Sequence, residues 1–174
     1  MNTNLFFLSA IQLIMSIFVG VIVLYLTYYF TLKVFEKKKY EIKNDNIAFS
    51  IFLSAIIFSV GLIVSSAFEP AMNVIQLIQN TAQTKTELFF EFIKYLFLFL
   101  GVGVSVSIIV IIVSVKLYDF LTKKIDELKE ISDNNVAIAL ITGIIIIVIA
   151  LFAKDSVNMM IEALIPYPDL PAIY

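Results

Sequence analysis

The side chains capable of chemistry in this sequence are few and unevenly placed. Glu69, Lys154, Asp155, Asn158 and Glu162 form one set: Asn158 and Glu162 follow Asp155 at three- and seven-residue separations, on one helix face. Lys154 is spaced to pair with Asp155, or with Glu69 from an earlier part of the chain. Opposite charges and one amide in this arrangement suit anchoring among lipid headgroups or attraction of ions to a pore mouth. A second set is a polar stripe, Gln12, Ser16 and Gly20 at four-residue steps, with Gly101 and Ser105 at matching places later in the chain. Gln12 suits an interhelical hydrogen bond or the lining of a wet path.

Neither set contains a nucleophile beside a base, a phosphate-cradling loop or a metal-ligand group; Gly101 and Gly103 lack the rest of a phosphate motif. The chain has no histidine and no cysteine. That excludes a conventional zinc site, a Cys or His triad, a haem held by His or Cys, and a disulfide. The absence of arginine and the net charge of −2 remove the basic footprint of a nucleic-acid binder. A non-enzymatic protein without a cofactor is therefore expected.

The elements that position these residues follow from composition. The chain is 61% hydrophobic and 15% charged, with mean hydropathy +1.00, against about 45–50% and about 25% in soluble domains. Four stretches carry no charge: 1–32 (apolar from Leu5 to Phe30), 46–68, 95–115 and 134–153. Each is long enough for a helix to cross about 30 Å of hydrocarbon, which takes about 20 apolar residues. No alternating barrel strands occur. The expectation is an all-α integral membrane protein with four transmembrane helices. The first is an uncleaved span, since its start lacks lysine and no small-residue cleavage site follows.

Nine of the twelve lysines fall between spans 1 and 2 (Lys33, Lys37, Lys38, Lys39, Lys43) or between spans 3 and 4 (Lys116, Lys123, Lys124, Lys129). The positive-inside rule places these two hairpins in the cytoplasm and both termini outside. No span carries a charge near its middle, which disfavours ion-coupled or proton-coupled transport.

The chain also resembles itself at an offset of 89 residues. Glu41-Ile42 and Asn46-Ile47-Ala48 align without gaps on Glu130-Ile131 and Asn135-Val136-Ala137. The reading is two tandem, parallel two-helix repeats, 1–84 and 85–174, related by an axis along the membrane normal. Ser50, Ser54 and Gly61 of span 2 have Ala139, Gly143 and Ala150 as mates, so small residues recur at four- and seven-residue steps and predict close helix packing, within the chain or against another subunit.

Asn44-Asp45-Asn46 and Ser132-Asp133-Asn134 read as helix caps. Short amphipathic segments are expected after helices 2 and 4: Ala71, Val74, Ile75 and Ile78 in one, Val157, Met160, Ile161 and Leu164 in the other, the latter ended by Pro166-Tyr167-Pro168.

Two tandem two-span units, with Asn46-Ile47-Ala48 and Asn135-Val136-Ala137 at the start of a Ser/Gly-bearing helix, resemble the DUF350 family of prokaryotic inner-membrane proteins. Ser54 and Ile144–Ile147 stand where members of that family more often carry glycine. The resemblance implies a small four-helix membrane protein of the prokaryotic inner membrane with no catalytic residues to carry over. It also implies a partner-dependent role in membrane or envelope stress, and a four-span defence component fits the same features. The expected partners are the lipid bilayer, further copies of the chain, and a cytosolic or membrane protein. The expected function is an oligomeric scaffold or sensor; the alternative is an oligomeric channel or pore lined by small and polar residues.

Overall fold

A computed structural model describes residues 3–66, 70, 74, 85–122 and 126–165. The described elements are all helical: α1 (Thr3–Lys37), α2 (Ile47–Ser65), α3 (Lys85–Thr122), α4 (Glu127–Ser132) and α5 (Val136–Glu162). Four segments are long and apolar enough to cross a membrane, Ser16–Lys37, Ile47–Ser65, Ile93–Val113 and Val136–Glu162. The chain is thus built as a multi-pass membrane protein. A helix satisfies the backbone amides of its interior within the segment, which hydrocarbon demands.

α2 and α5 leave a common junction side by side in the same direction and form the most extensive helix contact. α3 packs against both of them, whereas α1 packs on α2. The core has two parts. Near the junction, Phe35 is buried against the rings of Phe49 at 5.2 Å and Phe52 at 6.1 Å, with Ala48, Ile131 and Ala139 completing the layer. Toward the other end, Ile63, Phe99, Ala150, Val157 and Ile161 pack together.

The first expected amphipathic segment lies outside the described residues, apart from Val74, which is buried. The second continues α5 without a break to Glu162. There Val157 and Ile161 are buried while Met160 and Leu164 are exposed. Pro166-Tyr167-Pro168 lies outside the described residues.

Candidate functional site: the junction of the two hairpins

The junction is assembled by asparagines. A first helical turn leaves its amides without intrahelical acceptors, and a short polar side chain just before it supplies one. Asn46 caps α2, its Oδ1 accepting from the Phe49 amide at 2.7 Å; Asn135 caps α5, accepting from the Ile138 amide at 3.3 Å. The α5 cap is therefore Asn135, one residue beyond the Ser132-Asp133-Asn134 triplet read from the sequence.

Asn134 has a different task. It ends α4 with φ 68°, a left-handed conformation that asparagine tolerates better than most residues. The Asn135 amide then bonds back to the Glu130 carbonyl at 2.8 Å, a Schellman closure. In this pose Asn134 Oδ1 accepts from the Ala48 amide of the other hairpin at 3.0 Å. Asn46 reciprocates: its Nδ2 donates to the Ile131 and Ser132 carbonyls, both at 2.9 Å. Asn46 is 5% exposed, so these bonds replace water on carbonyls at a helix C-terminus.

A second link lies beside this knot. The Tyr40 hydroxyl donates to Asp126 Oδ2 at 2.5 Å, and the Lys38 ammonium stands 3.8 Å from Asp126 Oδ1. Asp126 also caps α4 by accepting from the Lys129 amide at 3.2 Å. The hydrogen bond to Asp126 raises the Tyr40 pKa, with burial and the carboxylate charge adding to it. Burial pushes the Asp126 carboxyl up, but the Tyr40 hydroxyl, the Lys129 amide and the Lys38 charge outweigh it and hold the pKa below 3.8.

Two concave surfaces adjoin the knot. A polar cleft of about 680 Å³ is lined by Lys39, Tyr40, Glu41, Lys43, Asp45, Asn46, Lys129, Ser132, Asp133 and Asn134. A mainly apolar groove of about 910 Å³ runs from Asp45 and Asn46 between α2 and α5.

The residues singled out from the sequence fall as follows. Ala139, Gly143 and Ala150 are buried on α5. At Gly143 the two helices approach closely, since a Cβ there would stand 2.9 Å from Ala55 Cβ. Ser50 and Ser54 are exposed and line the groove, each hydroxyl donating to a carbonyl of its own helix. Gly61 is half-buried with open space around it. The buried α2 face instead carries Ala48, Phe52, Ala55, Ser59 and Ile63.

Ser16 is half-buried and donates to the Leu13 carbonyl. Gly20 and Gly101 face open space, and Ser105 is exposed. Gln12 lies on α1, its side chain outside the described set, and Glu69 lies outside the described residues. Lys154, Asp155, Asn158 and Glu162 lie on α5. Among the described residues they are not joined by ion pairs, and Asn158 Oδ1 is buried without a hydrogen-bond partner.

Reasoning from sequence missed Tyr40, Asp126 and Lys38. Their only local signal was Asp126 ahead of Glu127-Leu128-Lys129, which has the form of a cap.

Residues 4–157 match the family described as Domain of Unknown Function (DUF350). The chain belongs to the DUF350 family. No curated protein and no solved structure matches it.

Proposed function

We propose that this DUF350 protein is a non-enzymatic, homo-oligomeric scaffold or sensor of the prokaryotic inner membrane, acting in membrane or envelope stress or defence. The observation that carries this reading is the asparagine knot. It ties both Lys-rich connectors into one polar platform fixed to the ends of the spans, which suits recruitment of a cytosolic or membrane partner. The lysines of the connectors support a cytoplasmic platform with both termini outside.

A tandem duplication, 1–84 and 85–174, underlies this form. Support comes from the groove, where Ile51, Ser54, Ala55 and Phe58 of α2 face Leu140, Gly143, Ile144 and Ile147 of α5, each pair 89 residues apart. Equivalent faces meet across an axis parallel to the helices, as a parallel repeat requires. Short amphipathic segments after the second and fourth spans complete the two units at the outer surface.

A second reading, an oligomeric channel, is favoured by the exposure of Ser50 and Ser54 on a predominantly apolar helix. Light scattering in mild detergent and ion flux in liposomes decide between them. The scaffold reading expects a multi-copy mass, no flux, and a partner retained by the wild-type chain but lost on Lys43→Glu/Lys129→Glu. A monomeric mass overturns it, as does flux that falls on Ser50→Leu/Ser54→Leu.

A further inference from the structure

The polar cleft and the apolar groove share Asp45 and Asn46 in their walls, so the two adjoin at the start of α2 and make up a trench with a charged end and a greasy end. Both volumes, about 680 and about 910 Å³, are of ligand-pocket size (about 300–1,000 Å³).

The charged end presents Lys39, Lys43 and Lys129 together with Glu41, Asp45 and Asp133, three ammoniums against three carboxylates. Among the described residues none of these six side chains enters a salt bridge; the neighbouring pair is made by Lys38 and Asp126 instead. The greasy end is walled by Ile51, Phe58, Ile144 and Ile147. The hydroxyls of Ser50 and Ser54 are already spent on backbone carbonyls, so this end asks for hydrocarbon.

We infer that the trench holds one zwitterionic glycerophospholipid with a primary-amine headgroup. Its phosphate sits among the lysines, its ammonium among the carboxylates, and one acyl chain lies between α2 and α5. A cleft of zero net charge gives a polyanionic headgroup or a free phosphate no net attraction. An apolar helix from a second copy would fill the groove but make no use of the mixed charges of the cleft. The inference rests on the membrane placement of the helices and shares Lys43 and Lys129 with the scaffold reading, but not its oligomeric state.

Native mass spectrometry of the full chain in mild detergent tests it. The protein is offered phosphatidylethanolamine and phosphatidylglycerol of matched chains and, separately, phosphoethanolamine and inorganic phosphate. Phosphatidylethanolamine is expected to be retained about fivefold better than phosphatidylglycerol, because its ammonium adds an exposed ion pair with the carboxylates. Lys43→Ala/Lys129→Ala is expected to reduce that retention about tenfold or more. Ser54→Phe, which fills the groove, is expected to reduce it with the oligomer mass unchanged.

Equal or better retention of phosphatidylglycerol overturns the inference, and that comparison needs no variant. Displacement of the lipid by inorganic phosphate or phosphoethanolamine overturns it in favour of a soluble phosphate ligand. A changed oligomer mass in Ser54→Phe with lipid still bound overturns it in favour of a second copy. The same spectra separate the two proposals: a monomer carrying lipid contradicts the oligomeric scaffold alone, and an oligomer without lipid contradicts the trench alone.

Discussion

Asn46 and Asn135 begin the two central helices with nearly the same backbone, φ −80° and ψ 96° in one, φ −77° and ψ 94° in the other. Each caps its own helix by accepting from the amide three residues on. They part company at the other end of the side chain. Asn135 Nδ2 donates to Glu130 Oε2 within its own hairpin at 2.8 Å, whereas Asn46 Nδ2 crosses to two carbonyls of the other hairpin. The residues just before them diverge in the same way. Asn134 is left-handed and caps the Ala48 amide across the junction, while its counterpart Asp45 takes no such backbone conformation and lines the cleft. One local rule therefore starts both helices, and the spare amide hydrogens of Asn46 cross to the other hairpin, where Asn134 answers them.

The comparison predicts unequal consequences for matched substitutions. Asn46→Ala removes a cap and the side-chain donor to two carbonyls, of which that of Ile131 keeps the Asn134 amide while that of Ser132 is stranded, at a cost of about 2–3 kcal/mol. Asn135→Ala loses chiefly a cap, about 1 kcal/mol. Unfolding in mild detergent followed by circular dichroism measures both, and equal losses would break the distinction.

The next contrast is Gly143 against its mate Ser54. Gly143→Leu drives a side chain into Ala55 on the partner helix and is expected to cost about 2–3 kcal/mol. Ser54→Leu points into the open groove and is expected to stay within about 0.5 kcal/mol. Comparable losses at the two sites would show that the helices close the groove.

The smallest contrast is at the Tyr40–Asp126 link. Tyr40→Phe is expected to cost less than about 1 kcal/mol, as for exposed charged pairs. Its signature is the pH profile. Asp126 has a depressed folded pKa, so its contribution is present above the ordinary value of 3.8 and fades as pH falls through the folded value. Tyr40 has a raised folded pKa, so its contribution is full below the ordinary value of 10.0 and is lost as pH rises through the folded value. The wild-type chain therefore gains over Tyr40→Phe between these limits. Hydrogen exchange in the connectors should show that gain vanish at both extremes; a gain independent of pH would contradict the link.

The four long helices were legible because charge-free runs leave no other backbone solution in hydrocarbon. The small residues Ala139, Gly143 and Ala150 were legible on α5 for a related reason, since close approach of two backbones tolerates little else. The buried face of α2 was not. Ser50, Ser54 and Gly61 share a stripe by spacing, yet the contact runs through Ala48, Phe52, Ala55 and Ser59. A helix apolar on every side carries no amphipathic signal to say which face meets protein and which meets lipid. The Tyr40–Asp126 bond joins residues 86 apart, and no local pattern encodes it. Asn46 was legible as a cap but not as a cross-link, and the α5 cap fell one residue beyond the triplet read for it, because capping is set by one turn of backbone and the crossing by the packing of two hairpins.

The central claim is that both connectors form one platform on one side of the membrane. The cysteine-free sequence permits the direct measurement, single cysteines at Lys43, Lys129 and Asp155 labelled in intact cells with a membrane-impermeant maleimide. Asp155→Cys should label at once, while Lys43→Cys and Lys129→Cys should label only after permeabilisation. Labelling of one connector but not the other in intact cells would contradict the account.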